Sequence, residues 1–138
     1  MAARSGSLAA VLLSLALISG ARPLGAQSSS SAAWQATPAS VLKAALRSVA
    51  AAQERYRAAN GRYAASVEPL GVRPEPGVRV DILGAGAGGW QGRAVHQRQP
   101  GRSCVVFVGS LEGAEAPRTD GDREMAGEEG IPLCDWMR

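Results

Sequence analysis

The sequence predicts an α+β domain: one long N-terminal amphipathic helix packed on a three- to four-stranded antiparallel sheet, with a C-terminal loop closed by a disulfide. Three observations carry that prediction. Apolar residues recur at three- and four-residue spacing from Leu42 to Ala59, and the period changes to two from Val78 to Val108. Two cysteines, Cys104 and Cys134, bracket an acidic segment near the end of the chain. A length of 138 residues favours a single domain once the first segment is set aside.

That first segment has a basic residue near its start (Arg4), an apolar core from Leu8 to Ser19 and small residues before Ala26. This is the layout of a secretory signal over 1–26, with a cut after Ala26; Ser19 and Ala21 offer an alternative cut after Ala21. The apolar core is shorter than the roughly 20 residues a membrane-spanning helix requires, so the membrane is a partner only if the segment stays uncleaved. Residues 27–36, QSSSSAAWQA, have no period and read as a flexible Ser-rich linker in which Trp34 is the one large apolar residue. The globular domain is expected over 37–138. In a chain sent to an oxidising compartment, Cys104 and Cys134 are most simply one disulfide, worth about 3–4 kcal/mol in the loop-entropy account. Two unrelated buried thiols are the alternative.

Thr37-Pro38 starts the helix, because threonine can cap it and proline suits the first helical position. Leu42, Ala45, Leu46, Val49, Ala52, Tyr56 and Ala59 share one face, and Gln53 falls within that stripe, where its amide needs backbone partners from the following loop. Asn60-Gly61 ends the helix, since glycine takes the left-handed conformation that closes the last turn. Residues 62–77 form a Pro/Gly-rich ordered loop pinned by Tyr63, Val67 and Leu70. Three strands follow, around Val78–Ile82, Trp90–His96 and Cys104–Val108, and make an antiparallel meander. The expected core is Leu42, Leu46, Val49, Tyr56, Val80, Ile82, Val106 and Val108.

Gly84, Gly86 and Gly89 satisfy the dinucleotide pattern G-x-G-x-x-G directly after a strand. A true nucleotide loop must open a helix whose N–H groups hold the pyrophosphate. Here it opens the alternating WQGRAVHQ, so Gly84 to Gly89 reads as a flexible hairpin loop and no organic cofactor is expected.

The net charge of +3 averages two opposed regions. From Lys43 to Arg102 there are ten basic side chains against four acidic ones; from Glu112 to Asp135 there are eight acidic against two basic. Either the acidic segment lies on its own basic sheet or a neighbour's, or it is ordinary solvated surface.

The run Ala52-Gln53-Glu54 with Tyr56, then Asn60-Gly61-Arg62-Tyr63, followed by Gly89-Trp90 through His96, the strand of Cys104 and the closing Gly130-Ile131-Pro132-Leu133-Cys134, resembles the globular part of type IV pilins and pseudopilins over about 37–136. The resemblance implies a pilin-like fold and a structural role in a type IV pilus or type II secretion-like system, with other pilin-like or envelope proteins as partners. Polymerising members begin with a basic leader, a cut beside phenylalanine, and a long apolar helix carrying a glutamate. Here Gly6-Ser7-Leu8 has no phenylalanine and the apolar run no acid, so the chain resembles a pilin head delivered by a general secretory signal.

His96 is the only histidine, and no motif places a nucleophile or carboxylate beside it, so it reads as a strand histidine with a structural hydrogen bond. Asp120, Asp122, Glu124 and Glu128, with Glu129 beyond, alternate around a glycine, and hard oxygens at that spacing can wrap calcium. Some pseudopilins hold calcium in the equivalent loop; a solvated, unliganded loop is the competing reading. The basic helix and sheet suit DNA as an alternative partner, but only Trp90 and Tyr63 supply aromatic stacking nearby. The sequence therefore predicts a secreted, periplasmic or cell-surface, non-enzymatic structural or interaction protein. The alternative is a soluble extracytoplasmic binding module for DNA, a glycan or a secretion partner.

Overall fold

The computed structural model describes residues 36–137. The secretory segment expected over 1–26, all but the last residue of the linker expected over 27–36, and Trp34 lie outside the described residues.

The first described element, α1, is Pro38–Asn60, a helix of 23 residues. Thr37 sits in extended conformation and its hydroxyl accepts a hydrogen bond from Ser40 N at 3.2 Å, satisfying one of the N–H groups that a helix start leaves unpaired. At the other end Gly61, with φ of 72°, donates its N–H to Arg57 O at 2.8 Å. The left-handed conformation that this closure needs strains any residue with a Cβ.

Residues 61–77 then lead, through a single 3₁₀ turn at Glu68–Leu70, to four strands: β1 Val78–Ala85, β2 Gly89–His96, β3 Ser103–Gly109 and β4 Leu133–Cys134. They form one antiparallel sheet in the order β1-β2-β3-β4. One face of the sheet covers the helix stripe. Leu42, Ala45, Leu46 and Val49 of α1 join Tyr63, Val80, Trp90, Ala94, Cys104 and Val106 in a single buried cluster. Ile82 and Val108, expected in the core, are partly buried against its margin. Tyr56 is only half-buried, because Gln53 is the last buried residue of α1. Beyond that turn the loop folds back and Tyr63 occupies the core instead.

The glycine run is a hairpin, not a helix opening, and it is packed on its neighbours. A bulge at Leu83 carries β1 past Ile82, so Gly84 is already paired with Gln91. The turn is tied by Gly86 N to Gly89 O at 2.9 Å, Tyr63 N to Gly86 O at 2.9 Å and Ser110 N to Gly88 O at 3.1 Å. A Cβ on Gly89 would lie 2.5 Å from Val108 O, so glycine is required there by the close approach of β3.

The second face of the sheet is covered over β3 and part of β2, while Arg79 and Leu83 of β1 stay exposed. Val105 alternates away from the core cluster yet is fully buried, as are Thr119 and, nearly, Ala126, because residues 110–132 double back over β2 and β3. An antiparallel bridge between Arg118 and Met125 stiffens that segment, and Gly130 N donates to Phe107 O at 2.8 Å where it returns toward β4.

Truncating the stripe tests this arrangement. Leu46→Ala, at a position with no exposed surface, should cost about 2–5 kcal/mol in urea unfolding. Leu83→Ala, at the exposed bulge, should stay within about 0.5 kcal/mol.

Candidate functional site

The polar groups that converge do so where the C-terminal tail meets the start of β3. Asp135 is 3 % exposed and its carboxylate accepts four interactions. Oδ2 takes Ser103 N at 2.8 Å and Gly121 N at 2.9 Å, and Oδ1 takes Asp122 N at 2.6 Å. The Thr119 hydroxyl is the fourth partner. Asp122 answers in kind: its Oδ2 accepts Trp136 N at 2.7 Å and its Oδ1 accepts Arg102 Nη1. Burial works to raise the Asp135 pKa, but the N–H groups of Asp122, Gly121 and Ser103 and the Thr119 hydroxyl outweigh it and hold the carboxyl below the ordinary aspartate value.

Beside this hub, Arg93 bridges two acids. Its Nη2 lies 3.1 Å from Asp81 Oδ2 and its Nη1 lies 3.2 Å from Asp120 Oδ1. The hydrogen bond to Asp81, reinforced by Asp120, raises the Arg93 pKa against the opposing effect of partial burial. Asp120 and Asp122 of the acidic segment thus lie on basic side chains of their own chain, while Glu112, Glu115, Glu124 and Glu128 are exposed surface.

The residues singled out in the sequence are placed as follows. Cys104 and Cys134 form a disulfide across the β3–β4 ladder, where they are directly opposed, with Cα atoms 3.9 Å apart. Both sulfurs lie 4.0 Å from Ala39 O, so the bond sits against the first turn of α1. Gln53 makes the backbone contacts its position demanded: Oε1 accepts Ala64 N at 2.7 Å and Nε2 donates to Ala64 O at 2.9 Å. His96 is buried at the end of β2, and its Nδ1 accepts Arg98 N at 3.0 Å. The expected calcium ligands are dispersed: Asp120 faces Arg93, Asp122 faces Arg102 and Trp136 N, and Glu124 and Glu128 are exposed. Glu129 accepts Gly109 N at 2.6 Å. Among the described residues no three His, Cys, Asp or Glu side chains converge as a metal site.

Two open grooves mark the surface. One, of about 510 Å³, runs between the start of β1 and the β2–β3 turn and is lined by Arg79, His96, Gln97 and Asp120. Another, of about 530 Å³, lies between Met125 and Ile131 and is edged by Glu124 and Glu128. The sequence reading missed Asp135 as the organising group. Its signal was an acid directly after Cys134, in a segment otherwise apolar from Ile131 to Met137, facing a tight Asp-Gly-Asp turn whose N–H groups need an acceptor.

No protein-family model and no curated protein matches this chain. Among the described residues no helix is long and apolar enough to cross a membrane, and the disulfide fits an oxidising compartment.

The hub gives stability a pH dependence of definite sign. The folded-state pKa of Asp135 is depressed, so its contribution is complete above the unfolded value of about 4 and disappears as pH falls through the folded value. Thermal unfolding followed from about pH 7 to about pH 2 should show the unchanged chain losing stability more steeply than Asp135→Asn, with the two curves converging at the acid end. Parallel curves would show that the charge of Asp135 does not hold the tail.

Proposed function

We propose that the chain is an exported, non-enzymatic, pilin-like domain serving as a structural or interaction subunit at the cell envelope, in a type IV pilus or a type II secretion-like system. One observation carries this reading. A single helix lies on an antiparallel meander whose last segment returns to the sheet and is closed by Cys104–Cys134. That order matches the order of the residues on which the resemblance to pilins rests.

The disposition of polar groups supports a structural role. The buried side chains of Gln53 and Asp135 are engaged mainly by backbone groups: Gln53 by Ala64 N and O, and Asp135 by the N–H groups of Ser103, Gly121 and Asp122 beside the Thr119 hydroxyl. Their chemistry is used to fix irregular chain against regular structure. The disulfide supports export, since such a bond persists in oxidising compartments.

The test is to produce the full chain in a bacterium with its own N-terminal segment and fractionate the cells. The reading expects the protein outside the cytoplasm, beginning near Gln27, and lighter than its reduced form by two hydrogens. Recovery in the cytoplasm with Met1 intact and both thiols free would overturn export. Turnover of ester, peptide or glycoside substrates above the buffer rate, lost on mutation of His96, would overturn the non-enzymatic assignment.

A further inference from the structure

We propose that Asp135 is the positioning residue for formation of the Cys104–Cys134 disulfide: it docks the C-terminal tail in register on β3 before the sulfurs are joined. This inference is independent of the proposed function and rests on how short the ladder is that pairs the tail with β3. The ladder between β3 and β4 comprises two residue pairs, Cys104 with Cys134 and Val105 with Leu133. Two pairs are too few to specify a register, and a slip of one residue would turn Cys134 to the opposite face of the sheet. Closing the ring also brings together residues 30 apart in sequence, with the entropy that such a closure costs.

Asp135 answers both difficulties. Ser103 immediately precedes Cys104 and Asp135 immediately follows Cys134. Asp135 N donates to Ser103 O at 2.9 Å while its side-chain Oδ2 accepts Ser103 N at 2.8 Å. The pair beside the cysteines is therefore fastened at two points, one of them a side chain that a shifted register would carry away. The same carboxylate gathers Gly121 N and Asp122 N, which lie about midway between the cysteines in sequence. One long closure thus becomes two shorter ones meeting at Asp135. The Asp122 carboxylate completes the clasp by accepting Trp136 N at 2.7 Å.

The covalent step needs an oxidant, taken here as a small-molecule disulfide such as oxidised glutathione. One cysteine thiolate attacks that disulfide, forming a mixed disulfide and releasing one glutathione thiol. The second cysteine thiolate attacks the protein sulfur of the mixed disulfide, forming Cys104–Cys134 and releasing the second glutathione thiol. Two electrons and two protons pass from the protein thiols to the glutathione pair. Docking by Asp135 acts on the second attack, by raising the effective concentration of one cysteine at the other.

The experiment measures that effective concentration by equilibrating the full chain in mixtures of reduced and oxidised glutathione, quenching with acid and weighing the species. The unchanged chain is compared with Asp135→Ala, with Asp135→Asn, which keeps one acceptor oxygen, and with Asp81→Asn, which removes an ion pair of Arg93 away from the cysteines. In native buffer Asp135→Ala should lower the effective concentration by about tenfold or more, Asp135→Asn by less, and Asp81→Asn by no more than about twofold. In concentrated urea all four should agree, because no docking survives there. An Asp135→Ala value within about twofold of the unchanged chain in native buffer overturns the proposal. So does an equal fall in Asp81→Asn, which would make the effect one of general stability. Should Asp135→Ala fail to fold when reduced, an Asp135→Asn chain indistinguishable from the unchanged one overturns it as well.

Discussion

The burial of Leu42, Leu46 and Val49 against Trp90 and Val106 is the contact from which the rest of the domain follows. A helix with one apolar face must have that face covered, and an antiparallel sheet with a matching face is the available cover. Each further feature then solves a problem this contact creates. The chain must turn back sharply after α1, which sets Gly61, Gln53 and Tyr63 at the helix end. The hairpins must be tight enough for three strands to lie side by side over one helix. Over β3 and part of β2 the sheet's other face is shielded by residues 110–132.

Much of this was legible in the sequence. The helix bounds followed from Thr37-Pro38 and Asn60-Gly61, because capping and termination are local chemistry. The strand centres followed from the two-residue period, and the disulfide from cysteine number and expected compartment. What could not be read was where coverage ends. Tyr56 has the spacing of a core residue, yet the fold-back at Ala64 leaves it half-exposed, and only the path of residues 61–77 decides that. The doubled-back acidic segment showed only as an asymmetry of charge, since it has no period to give its path. Val105 and Thr119 look like ordinary strand and loop residues until the segment lies over them.

The candidate site was legible in its covalent part and opaque in its polar part. A string of acids around a glycine suggests a cation site because carboxylates close in sequence suggest carboxylates close in space. In the fold the acids diverge, each toward a different partner: Arg93, Arg102, the N–H of Gly109 or solvent. Asp135, which stands apart from that string, collects the N–H groups that the string leaves without acceptors. Gln53 does the corresponding work at the end of α1, so at two of the places where irregular chain meets regular structure one buried side chain holds two or more backbone groups.

The position of the disulfide against Ala39 has a mechanical meaning. The chain enters the described domain a few residues before Ala39 and leaves it a few residues after Cys134, so both ends are anchored at one pole beside a sulfur bridge. Tension drawn between the two ends passes covalently from Cys134 to Cys104 and on through the strands and α1, bypassing residues 105–133. The acidic segment that doubles back over β2 and β3 therefore bears no load through its own backbone.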